Sequence, residues 1–141
     1  MCRRSWLVAS LVLVCGSTLG CSSGVKQPAF DDLHPVSGKL VKAGSPVGGG
    51  MVRFTPSPEK PEFIVNSLVE ADGSFKLTTV RTTDTRGERR PGAPAGEYVV
   101  VYMPPVVDQT VAHQDPVTLP SKVTVEAKDN QLTIDLAEGN K

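Results

Sequence analysis

Between Val36 and Leu136 apolar residues recur at every second position in short runs, and glycine, proline or aspartate interrupts each run. No window sustains the i, i+3, i+4, i+7 spacing with which a helix buries one face, so the alternation restricts this region to strands. A strand leaves its backbone N–H and C=O groups without partners until another strand takes them. The region must therefore build sheets and fold their apolar faces onto each other.

Read from the N-terminal side, Val36, Gly38 and Leu40 share one face of a first strand, ended by a turn over Lys42-Ala43-Gly44-Ser45-Pro46. A second strand over Met51-Val52-Arg53-Phe54 points Val52 and Phe54 inward, and Thr55-Pro56-Ser57-Pro58 is expected to stop it because proline cannot donate to a ladder. Gly48-Gly49-Gly50 ahead of it is a flexible turn or a bulge. Phe63 to Val69 is a third strand. Ala71-Asp72-Gly73-Ser74 then makes a tight hairpin turn, since Asp-Gly accepts positive φ, and Phe75 and Leu77 start the return strand.

Arg81 to Ala95 departs from this pattern. It combines Asp84, Arg86, Glu88, Arg89 and Arg90 with two prolines and two glycines, and is expected as a long charged loop. Gly96 to Tyr102 follows, rich in β-branched and aromatic residues on both faces, as a central strand needs. Lys122 to Ala127 and Gln131 to Ala137 close the series, with Asp129-Asn130 expected as their hairpin connection. Seven strands in about 100 residues predict an all-β, seven-stranded Greek-key β-sandwich of immunoglobulin-like architecture, with a small open barrel as the alternative.

The first 21 residues obey different rules. Arg3 and Arg4 precede the apolar run Trp6 to Val14, and the small-residue stretch Cys15 to Gly20 leads to Cys21. A basic start, a short apolar core and a small residue before a cut site form an export signal, and the apolar run is too short for a permanent membrane helix. Thr18-Leu19-Gly20-Cys21 resembles the bacterial lipoprotein signal in its small residue directly before the cysteine, and departs from it in Thr18, where leucine is usual. The expected organisation is a lipoprotein signal peptide over 1–20, lipidation (palmitate included) at Cys21, a flexible tether over 21–33 and one domain over 34–141. Ordinary secretion with an incidental cysteine, and an uncleaved anchor, are the alternatives. Ser22 after the cysteine favours an outer-membrane address by analogy with enteric sorting.

Removal of residues 1–20 takes two of the 15 basic side chains and none of the 15 acidic ones. The remaining near-neutral chain lacks the basic field that concentrates nucleic acid or anionic lipid, so no nucleic-acid partner is expected. Cys21 is the one cysteine of three to survive that cut, which excludes an internal disulfide and a thiolate metal cluster.

Several of these segments form a familiar set: Val36-Ser37-Gly38-Lys39-Leu40-Val41, Gly44-Ser45-Pro46-Val47, Val52-Arg53-Phe54, Asp72-Gly73-Ser74-Phe75, Ala95-Gly96-Glu97-Tyr98-Val99-Val100 and Leu132-Thr133-Ile134-Asp135-Leu136. In order and spacing they resemble the carboxypeptidase regulatory-like, or transthyretin-like, β-sandwich domain. Many bacterial envelope lipoproteins carry one such domain after a signal and a tether. The resemblance implies a prealbumin-type fold and a non-catalytic, accessory or adhesive role, and it supplies no ligand. The hydroxyisourate hydrolases of this fold end in a Tyr-Arg-Gly-Ser motif, whereas this chain ends Ala137-Glu138-Gly139-Asn140-Lys141.

Chemistry-bearing residues are sparse. His34 and His113 are the two histidines. A metal site would draw on them with Asp108 and Asp115, and a hydrolytic pair would set His113 beside Thr110 or Ser121, but no spacing aligns base, nucleophile and orienting acid. The acidic turn Glu70-Ala71-Asp72-Gly73 lacks the regularly spaced oxygens of a calcium loop. Arg86, Arg89 and Arg90 are the candidate ligand-binding residues, because guanidinium grips carboxylate and phosphate in pairs of hydrogen bonds; a solvated loop balanced by Asp84 and Glu88 is the alternative. Tyr98 and Tyr102 share a strand face and are expected in the core rather than as a sugar-stacking platform. No cofactor is expected. The partners expected are a membrane, through the lipid, and an envelope protein or glycan, the latter through the 81–95 or the 108–116 segment.

Overall fold

A computed structural model describes residues 26–106 and 114–139. The alternation is realised as short strands in two facing sheets and a two-stranded ribbon. In chain order the strands are β1 (Leu33–His34), β2 (Val36–Lys42), β3 (Ser45–Pro46), β4 (Met51–Ser57), β5 (Phe63–Leu68), β6 (Ser74–Lys76), β7 (Thr78–Arg81), β8 (Arg89–Pro91), β9 (Ala93–Pro94), β10 (Gly96–Met103), β11 (Val117–Thr118), β12 (Val123–Val125) and β13 (Asn130–Asp135); a 3-10 turn over Leu136–Gly139 follows.

The larger sheet runs β11-β10-β4-β5-β7-β8, with β12 also on β10; the smaller runs β13-β2-β3, with β6 also on β2. Neither path closes on itself, so the architecture is an open, sandwich-like all-β fold rather than a closed barrel. Every second residue of the central strands points inward: Val52 and Phe54, Val65, then Tyr98, Val100 and Tyr102 from one sheet meet Val36, Leu40, Phe75 and Ile134 from the other. Phe54 joins the layers, with its ring 5.9 Å from Tyr98 beside it and 6.1 Å from Phe75 opposite. Gly38 is on the inward face as expected, and a Cβ there would lie 2.2 Å from the Leu132 carbonyl oxygen and 2.7 Å from the Phe75 ring. Leu132 and Phe75 are the ladder partners of Gly38 on either side, so only glycine leaves room for the Phe75 ring and the β13 backbone against this strand of the smaller sheet.

Both tyrosines are core residues, and each finds a backbone acceptor for its hydroxyl. Tyr98 donates to the Pro94 carbonyl at 2.7 Å and Tyr102 to the Gly49 carbonyl at 3.2 Å. Burial disfavours the phenolate and pushes Tyr98 up to about 12, with the Asp31 carboxylate adding to the effect; burial raises Tyr102 as well.

Four local expectations are corrected. The second strand does not stop at Thr55 but continues through Pro56 to Ser57 on β10. Pairing with β5 has already ended at Phe54, so the missing proline N–H costs that ladder nothing.

The turn after the third strand is wider than a two-residue hairpin: Gly73 donates to the Glu70 carbonyl at 3.0 Å, and Gly73, at φ 81°, carries the positive angle without Asp72. Asp72 instead accepts from the hydroxyl and N–H of Ser74, which hold its carboxyl below the usual range. The strand that follows changes sheets: β6 pairs with β2, and β7 then returns to β5.

The last two strands form no hairpin. β12 lies on β10 and β13 lies parallel to β2, in opposite sheets. The buried Asn130 amide holds this crossover, accepting from Glu126 N–H at 2.9 Å and donating to the carbonyls of Glu126 at 3.0 Å and Lys128 at 2.6 Å. Nor is the 81–95 segment one loop, since β8 pairs with β7 and β9 with β1, leaving a turn at Asp84–Gly87.

Candidate functional site

The split between β5 and β6 opens a groove on the outer face of the larger sheet. β5 and β7 pair as far as Asn66 and Thr78; beyond that point β6 bonds to β2 of the other sheet, and a single bridge, Val69 to Phe75, resumes the pairing on the far side of the gap. The Ser67 hydroxyl fills the gap in the ladder by accepting from the Lys76 N–H at 3.1 Å. The space left has a volume of about 710 Å³, within the usual range of small-molecule sites.

Its floor is a row of side chains from four adjacent strands. Asn66 on β5 donates through Nδ2 to the Met51 sulfur on β4 at 3.5 Å and accepts through Oδ1 from Arg89 Nη1 at 2.9 Å. The same Nη1 donates to Thr78 Oγ1 on β7 at 2.7 Å. Arg89 therefore reaches from the edge strand across β7 to β5, held by neutral partners; among the described residues it has no acidic one. Leu68, also lining the groove, is 73% exposed and adds apolar surface to it. Lys76 contributes a second cation and Glu70 an anion.

The structure separates the three arginines singled out in the sequence. Arg86 lies exposed in the Asp84–Gly87 turn, its backbone N–H bonded to Asp84 Oδ1 at 2.9 Å. Arg90 is next to Arg89 on β8, but its guanidinium pairs with Glu88 at 2.7 Å and lies 4.5 Å from the centroid of the Phe30 ring. Arg81, whose side chain is 12% exposed, covers the same ring at 4.2 Å and pairs with Glu88 at 3.1 Å. Arg89 alone of the three lines the groove. Sequence reading missed Lys76, Leu68 and Asn66, which belong to separate strands and show no shared local pattern.

The remaining candidates are dispersed or lie outside the described residues. His34 is half-buried in β1 opposite Ala93. Asp115 borders a separate small cleft of about 120 Å³ with Lys42 and Tyr102. Cys21, Asp108, Thr110 and His113 lie outside the described residues, as does most of the 108–116 segment. Among the described residues no three His, Cys, Asp or Glu side chains are grouped to hold a metal ion.

From Gln27 onward the segment expected as a tether touches the domain. Gln27 exchanges hydrogen bonds with Thr83, Lys60 pairs with Asp31, and the Phe30 ring lies 5.6 Å from Phe63. Compared with family models, with curated proteins and with solved structures, the chain has no match.

Proposed function

We propose that this chain is a bacterial cell-envelope lipoprotein, held on a membrane by a lipid on Cys21, whose β-sandwich is a non-enzymatic structural or protein-interaction module. The observation that carries this reading is the arrangement of the first 21 residues: two arginines, a short apolar run, small residues, then cysteine. The all-β domain behind it supports the assignment to a carboxypeptidase regulatory-like or transthyretin-like type with Greek-key strand order, the type that the motif order resembles. Ser22 supports the outer membrane as the destination.

An interaction role also draws support from the sheet edges. Among the described residues β13 has one ladder partner, β2, and β8 has one, β7, so each presents a row of backbone groups that another extended chain can pair with. Growth of the producing cells on an alkyne analogue of palmitate tests the anchor: label is expected in the native protein and absent from Cys21→Ser. Equal labelling of the two, or none in either, overturns it.

A further inference from the structure

We propose that the groove between β5 and β6 is a binding site for a monoanionic carboxylate carrying an apolar chain, with Arg89 as the carboxylate anchor and Leu68 and Met51 as the apolar contact. This inference holds whether or not Cys21 carries a lipid.

The argument begins with the part of Arg89 that is left over. Both of its hydrogen bonds, to Asn66 and Thr78, use Nη1. The Nε–Nη2 edge, two parallel N–H groups with the spacing of a carboxylate, has no protein acceptor among the described residues. A guanidinium fixed through one nitrogen has already lost much of its rotamer freedom, so a ligand bound on the other edge meets a prearranged donor pair. Among the described residues Lys26, Lys42, Arg53, Lys76 and Arg86 also lack a carboxylate partner, but of these unpaired cations Arg89 alone has its head group fixed by side-chain hydrogen bonds, which is what sets it apart.

Charge sets the valence of the ligand. Arg89 and Lys76 against Glu70 leave the groove with one net positive charge. A carboxylate balances it, whereas a phosphate monoester carries close to two negative charges at neutral pH. The apolar requirement comes from Leu68 and Met51, which a bare carboxylate would leave in water. A purely apolar occupant fails in the opposite way, because it would strip water from Arg89 and Lys76 without returning hydrogen bonds.

Titration calorimetry on the full chain with octanoate below its micelle concentration tests the site, with octanol and acetate as the two half-ligands. Saturable octanoate binding is expected, weakened about tenfold or more by Arg89→Gln, as the loss of a charge-assisted bond implies, and unaffected by Arg90→Gln. Leu68→Ser is expected to weaken octanoate while leaving the fold intact, and each half-ligand is expected to bind far more weakly than octanoate. The proposal is overturned if octanoate does not saturate, if Arg89→Gln and Arg90→Gln behave alike, or if octanol or acetate matches octanoate.

Discussion

The guanidinium of Arg81 lies 4.2 Å from the centroid of the Phe30 ring, and Arg90 covers the same ring at 4.5 Å, so one phenylalanine from the N-terminal segment is shared by two cations that Glu88 also pairs. The cluster ties residues 27–34 to the edge of the larger sheet. Phe30→Ala removes both cation–π contacts and the packing on Phe63, and is expected to cost about 2 kcal/mol in urea unfolding. A double-mutant cycle with Arg90→Ala should return a coupling of about 0.5–1 kcal/mol; additive losses would mean that the stacking contributes nothing.

Asn130 closes the crossover between the sheets from inside, with its amide serving both the N–H and the carbonyl of Glu126. Replacement by alanine leaves those backbone groups without their partner and removes the buried amide, and a loss of about 1–3 kcal/mol is expected by thermal or urea unfolding. Asp129→Ala next to it, on an exposed residue, should change stability by less than about 0.5 kcal/mol. Similar losses in the two variants would show that the amide does not hold the crossover.

The β2–β3 turn carries Ala43 at φ 50°, in the left-handed region where a Cβ is crowded, with Gly44 next to it. Asparagine tolerates this conformation and precedes glycine in the preferred two-residue hairpin. Ala43→Asn is therefore expected to stabilise the domain by about 0.5–1 kcal/mol, seen as a higher urea midpoint at unchanged slope.

Tyr98 gives stability a defined alkaline limit. Its phenol is pushed up to about 12 in the fold, against about 10 in an unfolded chain, because burial disfavours the charged form. The folded state thus holds the proton more tightly than the unfolded one. The resulting stabilisation is complete below about pH 10 and is lost as pH rises through about 12. Tyr98→Phe is expected to cost about 1 kcal/mol at neutral pH, from the lost bond to Pro94, and to fall less steeply than the native protein between pH 10 and 12. Parallel curves for the two proteins would contradict this account.

Inward-facing residues were legible in the sequence because period two depends only on strand geometry: Val36, Leu40, Val52, Phe54, Tyr98 and Ile134 all face the core as the alternation requires. Partnership was not legible. The alternation of Val123 and Val125 is the same whether the strand meets β13 or β10, and the buried amide that separates them is a single Asn in what reads as an ordinary turn. The arginines show the same division. Their chemistry was apparent from composition, but Arg89 and Arg90 point to different surroundings because adjacent residues of a strand face opposite sides, a consequence hidden as long as the segment is read as a loop. The groove itself depends on β6 leaving β5 for the other sheet, which no local pattern encodes.

Intact-mass analysis of the N-terminal peptide from the native membrane fraction tests the central claim most directly. The account predicts a chain that begins at Cys21 and carries the added mass of a diacylglyceryl thioether. A membrane-fraction chain that begins before Cys21, or an unmodified cysteine on a soluble protein, would contradict it.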